Sequence, residues 1–235
     1  MRAIMLKILA LMLVAIMLLV AVGCDGKADG ENAGNNADST TADNADNNQG
    51  DGQAKTEAKL DYSNVVLSDY IKSINYKGLT VLLENESSSK QDAVWEAVLA
   101  SVDMEFYPVE PVQYYFNQTK RLYMEAVGNN EDDYYSLLIS RGISENDMLA
   151  DAQAFVKEDL VFLYITQTEQ ISVSEQEKQE LFDKYVDKYV SDYGYKRIYV
   201  IANMSELIYE SMLYDKTTEY LILNNTFEVK SEGNN

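Results

Sequence analysis

Apolar and polar positions divide the chain into three stretches. Ile8 to Val22 is an unbroken apolar run without a charge. Asp25 to Lys59 holds no Val, Ile, Leu, Met or aromatic residue. From Leu60 to about Lys230 apolar residues return, mostly at helical spacing. Gln91 to about Met104 places Val94, Val98 and Val102 on one stripe, with Trp95 and Leu99 beside it, which predicts a helix. Phe106 to Pro111 breaks that helix and holds both prolines of the chain. Pro111 suits the first turn of a second helix, where its missing N–H is harmless. That helix runs to about Val127 with an apolar face of Val112, Tyr115, Phe116, Thr119, Leu122, Tyr123 and Ala126, and Gly128 is placed to cap it.

A short helix is predicted over Glu131 to Ser140, stopping at Gly142. Ser144 with Asp147 reads as a capping box. The helix that follows carries Leu149, Ala152, Val156, Leu160 and Leu163 on one stripe, widened by Phe155, Phe162 and Tyr164, and should end near Glu169. Ser174 with Glu177 gives a second capping box. The next helix shows Phe182, Tyr185, Val186, Tyr189 and Val190, the spacing of a core-facing side. Tyr193-Gly194-Tyr195 breaks it. Ile198 to Ile201 is β-branched and fits helix or strand. Ser205 is a candidate cap for a last helix through Leu207, Ile208, Met212, Leu213, Leu221 and Leu223. Short extended pieces fall at Tyr62 to Leu67, Leu79 to Leu83 and Thr226 to Val229. The expectation is a mainly α domain with a few short β-strands near its N-terminal end. About 170 residues suffice for one core.

The first stretch has the order of an export signal. Arg2 and Lys7 precede the apolar run, which is about 15 residues and so short of the ~20 that span a bilayer comfortably. It ends at Ala21-Val22-Gly23, directly before Cys24, the only cysteine. Ala-Val-Gly-Cys resembles the lipobox of bacterial lipoproteins. That resemblance implies removal of residues 1–23 and a diacylglyceryl group on Cys24. It implies a cell-membrane location, lipid-anchored on the extracytoplasmic face. Two acyl chains hold a membrane stably where one does not.

Residues 24–59 are then expected to be an acidic, disordered linker, because such a composition cannot bury apolar surface. A flexible coil of this length has an r.m.s. span of roughly 30–35 Å. Residues 231–235 form a polar tail.

Charge narrows the partners. The whole chain carries 19 Lys and Arg against 39 Asp and Glu, a net −20. Removal of residues 1–23 takes away only Arg2 and Lys7, which leaves −22. A chain this acidic is repelled by nucleic acid, so no nucleic-acid partner is expected. There is no histidine. That excludes Ser-His-Asp and Cys-His nucleophile systems and the usual histidine-based metal sites. A lone cysteine excludes an internal disulfide.

Residues 76–225 resemble a known helical family. Tyr76-Lys77-Gly78-Leu79-Thr80-Val81 is similar to a stretch of trigger-factor-like proteins. So are the Tyr-rich helix from Phe106 to Ala126, the Arg141-Gly142 stop and the run Ile143 to Ile165. The same holds for Ile171 to Tyr189, with its Ile-x-Val-Ser start, for Tyr193-Gly194-Tyr195 and for Met212 to Asn224. Together they resemble the C-terminal, substrate-holding domain of trigger factor and the related helical parts of SurA- and PrsA-type extracytoplasmic chaperones. The resemblance implies a multi-helix peptide-binding domain over residues 60–230. Its implied partners are unfolded or secreted polypeptides, with no cofactor, metal or catalytic residue. Tyr76 to Leu83 runs almost directly into the first long helix. That leaves no stretch of the ~100 residues a separate isomerase domain would occupy.

Such a cradle needs adaptable apolar groups with polar handles, for which Tyr and Met are suited. The candidates are Tyr107, Tyr114, Tyr115, Phe116, Tyr123, Met124, Tyr134, Tyr135 and Met148. Adjacent pairs on a helix cannot face one core together, so at least one ring of Tyr114-Tyr115 and of Tyr134-Tyr135 should face outward or into a cleft. Two other readings remain open at this level. One is a member of a prolyl isomerase family with residual activity. The other is a non-catalytic adaptor lipoprotein with one dedicated partner.

Overall fold

The computed structural model describes residues 60–230. The signal stretch, Cys24, the linker and the 231–235 tail lie outside the described residues. Eight helices and four short strands follow in chain order. They are α1 (Leu67–Tyr70), β1 (Ile71–Ser73), β2 (Thr80–Leu83), α2 (Lys90–Ala100) and β3 (Asp103–Met104). Next come α3 (Val109–Ala126), α4 (Glu131–Arg141), α5 (Glu145–Thr168) and α6 (Glu175–Tyr193). The chain closes with α7 (Arg197–Asn203), α8 (Ser205–Leu223) and β4 (Thr226–Val229). The mainly α class with few short strands is as the periodicity predicts.

The helix boundaries have local causes. At Ser144 and Ser174 the serine hydroxyl accepts the third backbone N–H of the helix, while Asp147 and Glu177 reach back to the serine N–H. Both are complete capping boxes, satisfying donors that a helix start leaves unpaired. Gly142 and Gly194 close α4 and α6 at φ +65° and +70°, a conformation glycine enters without a Cβ penalty.

Helix α5 is the central element. Val156, Leu160, Val161 and Ile165 are fully buried along it. It packs against α3, α2 and α8, and α8 in turn meets α2, α6 and α7. Further fully buried apolar groups on those partners are Val94 and Val98 on α2, Val186 on α6, Val200 on α7, and Ile208 and Leu221 on α8. A buried Val or Leu contributes about 1.5–3 kcal/mol relative to an exposed one, so this spine carries much of the stability.

The strands clasp the two ends of the described chain. β2 pairs with β4 in parallel, from Thr80 opposite Thr226 to Leu83 opposite Val229. Asn225 secures the join by accepting the Leu79 N–H at 2.7 Å and donating to the Tyr76 carbonyl at 3.0 Å. β1 pairs with β3 antiparallel.

Several local expectations are corrected. Tyr62 to Leu67 is not a strand; the first strand is β1, preceded by the single turn α1. Helix α2 stops at Ala100 rather than near Met104, because Asp103 and Met104 turn out to pair with β1. Ile198 to Ile201 is helical, with Val200 as its buried anchor. Ser205 is not a cap: its hydroxyl donates to the Ile201 carbonyl at 3.0 Å, and Met204 holds the cap position without a side-chain bond. On α5 the buried stripe includes Met148 and Val161, whereas Leu149 is 40% exposed.

Candidate functional site

The nine Tyr, Phe and Met candidates divide between core and rim. Tyr115, Tyr123, Tyr134 and Met148 are buried. Tyr107, Tyr114, Phe116 and Met124 are half-buried, and Tyr135 is exposed. Each adjacent pair does turn one ring outward: Tyr114 lies against buried Tyr115, and Tyr135 against buried Tyr134.

The buried four hold helices together. The Tyr115 phenol on α3 donates to Asp159 of α5 at 2.5 Å, and the Tyr62 phenol donates to the same oxygen at 2.7 Å. The Tyr134 phenol on α4 donates to Glu145 at 3.1 Å and packs on the Met148 sulfur at 3.7 Å. Burial first, and then the bond to Glu145, push the Tyr134 titration up. Lys120 pairs with Glu145 at 2.8 Å and lies over the Tyr134 ring. Tyr123 is covered by the Arg141 guanidinium. These side chains fix the α3–α4–α5 corner and offer no open face as they stand.

The exposed apolar surface that stands out lies elsewhere, at the α6–α7 corner. Rings follow one another from Tyr189 to Tyr193, Tyr195 and Tyr199, with centroids 5.5, 6.2 and 5.8 Å apart. Tyr189 is buried and Tyr193 half-buried, while Tyr195 and Tyr199 are exposed. Ile198 is 74% exposed beside them, and Ile201 is exposed as well.

The local sequence explains this presentation. Gly194 ends α6 with a left-handed residue, so the chain reverses directly into α7. Val200 is the buried anchor of α7, which leaves Ile198, Tyr199 and Ile201 turned outward. Arg197 then ties α7 back to α6 through Asp183 at 2.5 Å and through Asp187. The result is an outward strip of Tyr and Ile. Contiguous exposed apolar surface of this kind marks interaction sites. In the sequence Tyr193 to Tyr195 reads as a helix break and as part of the family resemblance, and not as a binding surface. The available signal was the four-residue spacing of Tyr189 with Tyr193 and of Tyr195 with Tyr199 around the glycine.

A second aromatic cluster joins α2, α5 and α8. Trp95 stacks on Tyr214 with centroids 5.2 Å apart at 11°. Phe162 lies 5.9 Å from Tyr214 and 6.5 Å from Trp95. One helical turn before Phe162 sits Glu158, which is 9% exposed, and its Oε1 is buried without a hydrogen-bond partner. Burial raises its titration to about 8.

Glu169, at the end of α5, is the opposite case. It accepts from the Tyr76 phenol at 2.5 Å, from Lys77 at 2.7 Å and from the Tyr220 phenol. The bond from Lys77, followed by those from the two phenols, lowers its titration to about 2. Lys77 also lies over the rings of Tyr76 and Tyr220. A shallow groove of about 350 Å³ borders this knot, lined in part by Gln170, Ile171, Lys216, Tyr220 and Leu223. Lys216 is engaged there by the Ser172 carbonyl and Glu177, so the groove offers mainly apolar contact through Leu223.

Among the described residues no group of His, Cys, Asp and Glu is arranged to hold a metal ion. No described helix is long and apolar enough to cross a membrane. Residues 60–230 carry 14 Lys and Arg against 30 Asp and Glu, a net −16. The arrangement combines a strongly acidic composition with an exposed strip of Tyr and Ile, which suits non-covalent contact with other chains. Neither a known protein family nor a curated protein matches the sequence.

Proposed function

We propose that the chain is a membrane-anchored extracytoplasmic holdase, which binds unfolded or secreted polypeptides without chemistry and keeps them from aggregating. The observation that carries this reading is the outward strip at the α6–α7 corner, Tyr195, Ile198, Tyr199 and Ile201, on a domain of net −16. Tyr contributes a flat apolar face with a polar tip at low entropic cost, so it accepts many sequences weakly. The surrounding negative charge would keep the protein and its complexes apart from one another. The lipobox-like Cys24 and a linker without Val, Ile, Leu, Met or aromatic residues support a tethered domain outside the membrane. The trigger-factor-like sequence pattern of residues 76–225 supports the same class of partner.

The test is pelleting of a chemically denatured reporter enzyme in the presence of the full-length chain reconstituted into phosphatidylcholine vesicles. A several-fold excess of the chain should keep most of the reporter in the supernatant. Unchanged pelleting at that excess rejects the holdase. Recovery of one secreted protein rather than many in a pull-down favours a dedicated adaptor instead.

A further inference from the structure

The cluster at the α2–α5–α8 junction is not explained by packing alone. Three rings meet there, and Glu158, one helical turn before Phe162 and within electrostatic reach of Tyr214, holds an orphaned buried carboxylate oxygen. A buried charge or polar atom without a partner is unfavourable by several kcal/mol, and native structures retain few of them. Other polar groups of this junction are satisfied: the Trp95 indole N–H donates to Thr218 Oγ1 at 2.8 Å, and that hydroxyl donates to the Tyr214 carbonyl at 2.9 Å. Glu158 Oε1 is the exception.

The charged side chains described around this junction are acidic. The Tyr214 phenol is held high by burial first, then by the charge of Glu158, with Asp92 and Asp215 adding to it. Asp159 adds its charge to Glu158 itself. So α2, α5 and α8 each bring a carboxylate into the field of Tyr214. Aromatic faces carry a negative quadrupole and attract a cation within about 6 Å of the centroid. A buried, unpaired carboxylate oxygen near such rings is the partner a desolvated cation requires. Phe162 and Tyr214 are only half-buried, so the cluster reaches the surface while Glu158 lies deeper.

We propose that Trp95, Phe162, Tyr214 and Glu158 form a binding site for a single organic cation, an ammonium or guanidinium group carried on an apolar stem. On the polypeptide-binding reading, on which only the source of the cation rests, that group is a Lys or Arg side chain of the held chain. The stem would lie against Phe162 and Tyr214, and the charged end would reach Glu158 Oε1.

Trp95 is the only tryptophan, so its emission reports directly on the site. The experiment titrates the full-length chain, reconstituted into phosphatidylcholine vesicles, with three probes. They are a capped Ala-Leu-Lys-Leu-Ala peptide, the same peptide with its lysine acetylated, and n-butylammonium. The lysine peptide should change Trp95 emission saturably, and the acetylated peptide should bind at least tenfold more weakly. Glu158→Gln, and independently Glu158→Leu, should remove that preference. Binding of n-butylammonium with the same Glu158 dependence supports the site and assigns it to free amines as well as side chains. Equal binding of the two peptides to the unsubstituted chain overturns the proposal, whatever the variants do. Equal binding together with normal suppression of reporter pelleting would reject the cation site and leave the holdase standing. Lysine preference without any suppression would do the reverse.

Discussion

Trp95 and Thr218 are joined by a buried hydrogen bond across 123 residues of sequence, from indole N–H to threonine oxygen at 2.8 Å. The bond fixes α2 against α8 and orients the ring that stacks on Tyr214. Thr218→Val keeps the shape but leaves the indole N–H buried without an acceptor. An unsatisfied buried donor costs about 1–3 kcal/mol. The variant should therefore unfold at lower urea with an unchanged m-value and a shifted Trp95 emission maximum. An unchanged midpoint would show that the N–H finds another acceptor.

The α6–α7 strip should act in binding and not in stability. Ile198 and Tyr199 are exposed, and their removal creates no cavity. Exposed substitutions away from such features usually change stability by no more than about 0.5 kcal/mol. The double substitution Ile198→Ser with Tyr199→Ser should leave the melting temperature in place and weaken protection of a denatured reporter several-fold. Val200→Ser is the contrasting control. It buries a hydroxyl at a fully buried position and should loosen α7, lowering stability as well. Full protection by the double variant would move the binding surface elsewhere.

The helical part of this architecture was legible because helix signals are local. Ser144 with Asp147 and Ser174 with Glu177 each declare a helix start within four residues, and both boxes form. The pairing of β2 with β4 could not be read, since Thr80 and Thr226 lie 146 residues apart and each strand has only four residues. Tyrosine was the larger difficulty for the site. Its ring is at home in a core and its hydroxyl at a surface, so Tyr115 and Tyr134 carry the same sequence signal as Tyr195 and Tyr199. The difference is made by partners from other helices: Asp159 and Glu145 hold the first two phenols inside. Glu158 was equally hidden. Helix α5 is buried against three neighbours, so its inward face extends past the apolar stripe and its aromatic flank to take in Glu158.

The knot at Glu169 should be worth more than a surface ion pair. Its carboxylate is 16% exposed and takes donors from Tyr76, Lys77 and Tyr220, which brings the β1–β2 connection, α5 and α8 together. Bonds to a charged group contribute about 1.5–3 kcal/mol each when shielded, whereas exposed pairs give about 0–1 kcal/mol. Glu169→Gln keeps the shape but loses the charge. It should lower the chemical-denaturation midpoint more than Glu84→Gln, whose partner Lys230 is half-exposed and whose own side chain is 73% exposed. Equal effects would mean that the knot is no stronger than a solvated pair.

Stability should pass through a maximum on the acid side of neutrality. Glu158 titrates at about 8 in the folded chain against 4.5 for the ordinary carboxyl. Between those values the folded state holds a proton that the unfolded state has released, so stability falls as pH rises from about 4.5 to 8. A shift of this size corresponds to at most about 3–5 kcal/mol. Glu169 and Glu177 work in the other direction. Their titrations are lowered to about 2 by Lys77 with two phenols, and by Lys216 with the Ser174 capping bonds. Their contribution is complete above about 4.5 and is lost as pH falls towards 2. Melting temperature should therefore peak near pH 5. Self-repulsion of the acidic chain also lowers stability as pH rises, so the general shape alone does not assign the alkaline limb. Glu158→Gln separates the two causes, because it removes one titration and changes the net charge by only one. The variant should lose much of the decline between pH 5 and 8 while keeping the acid limb, and Glu169→Gln should shallow the acid limb alone. A Glu158→Gln profile parallel to that of the unsubstituted chain would show that the carboxyl is not protonated in the folded state.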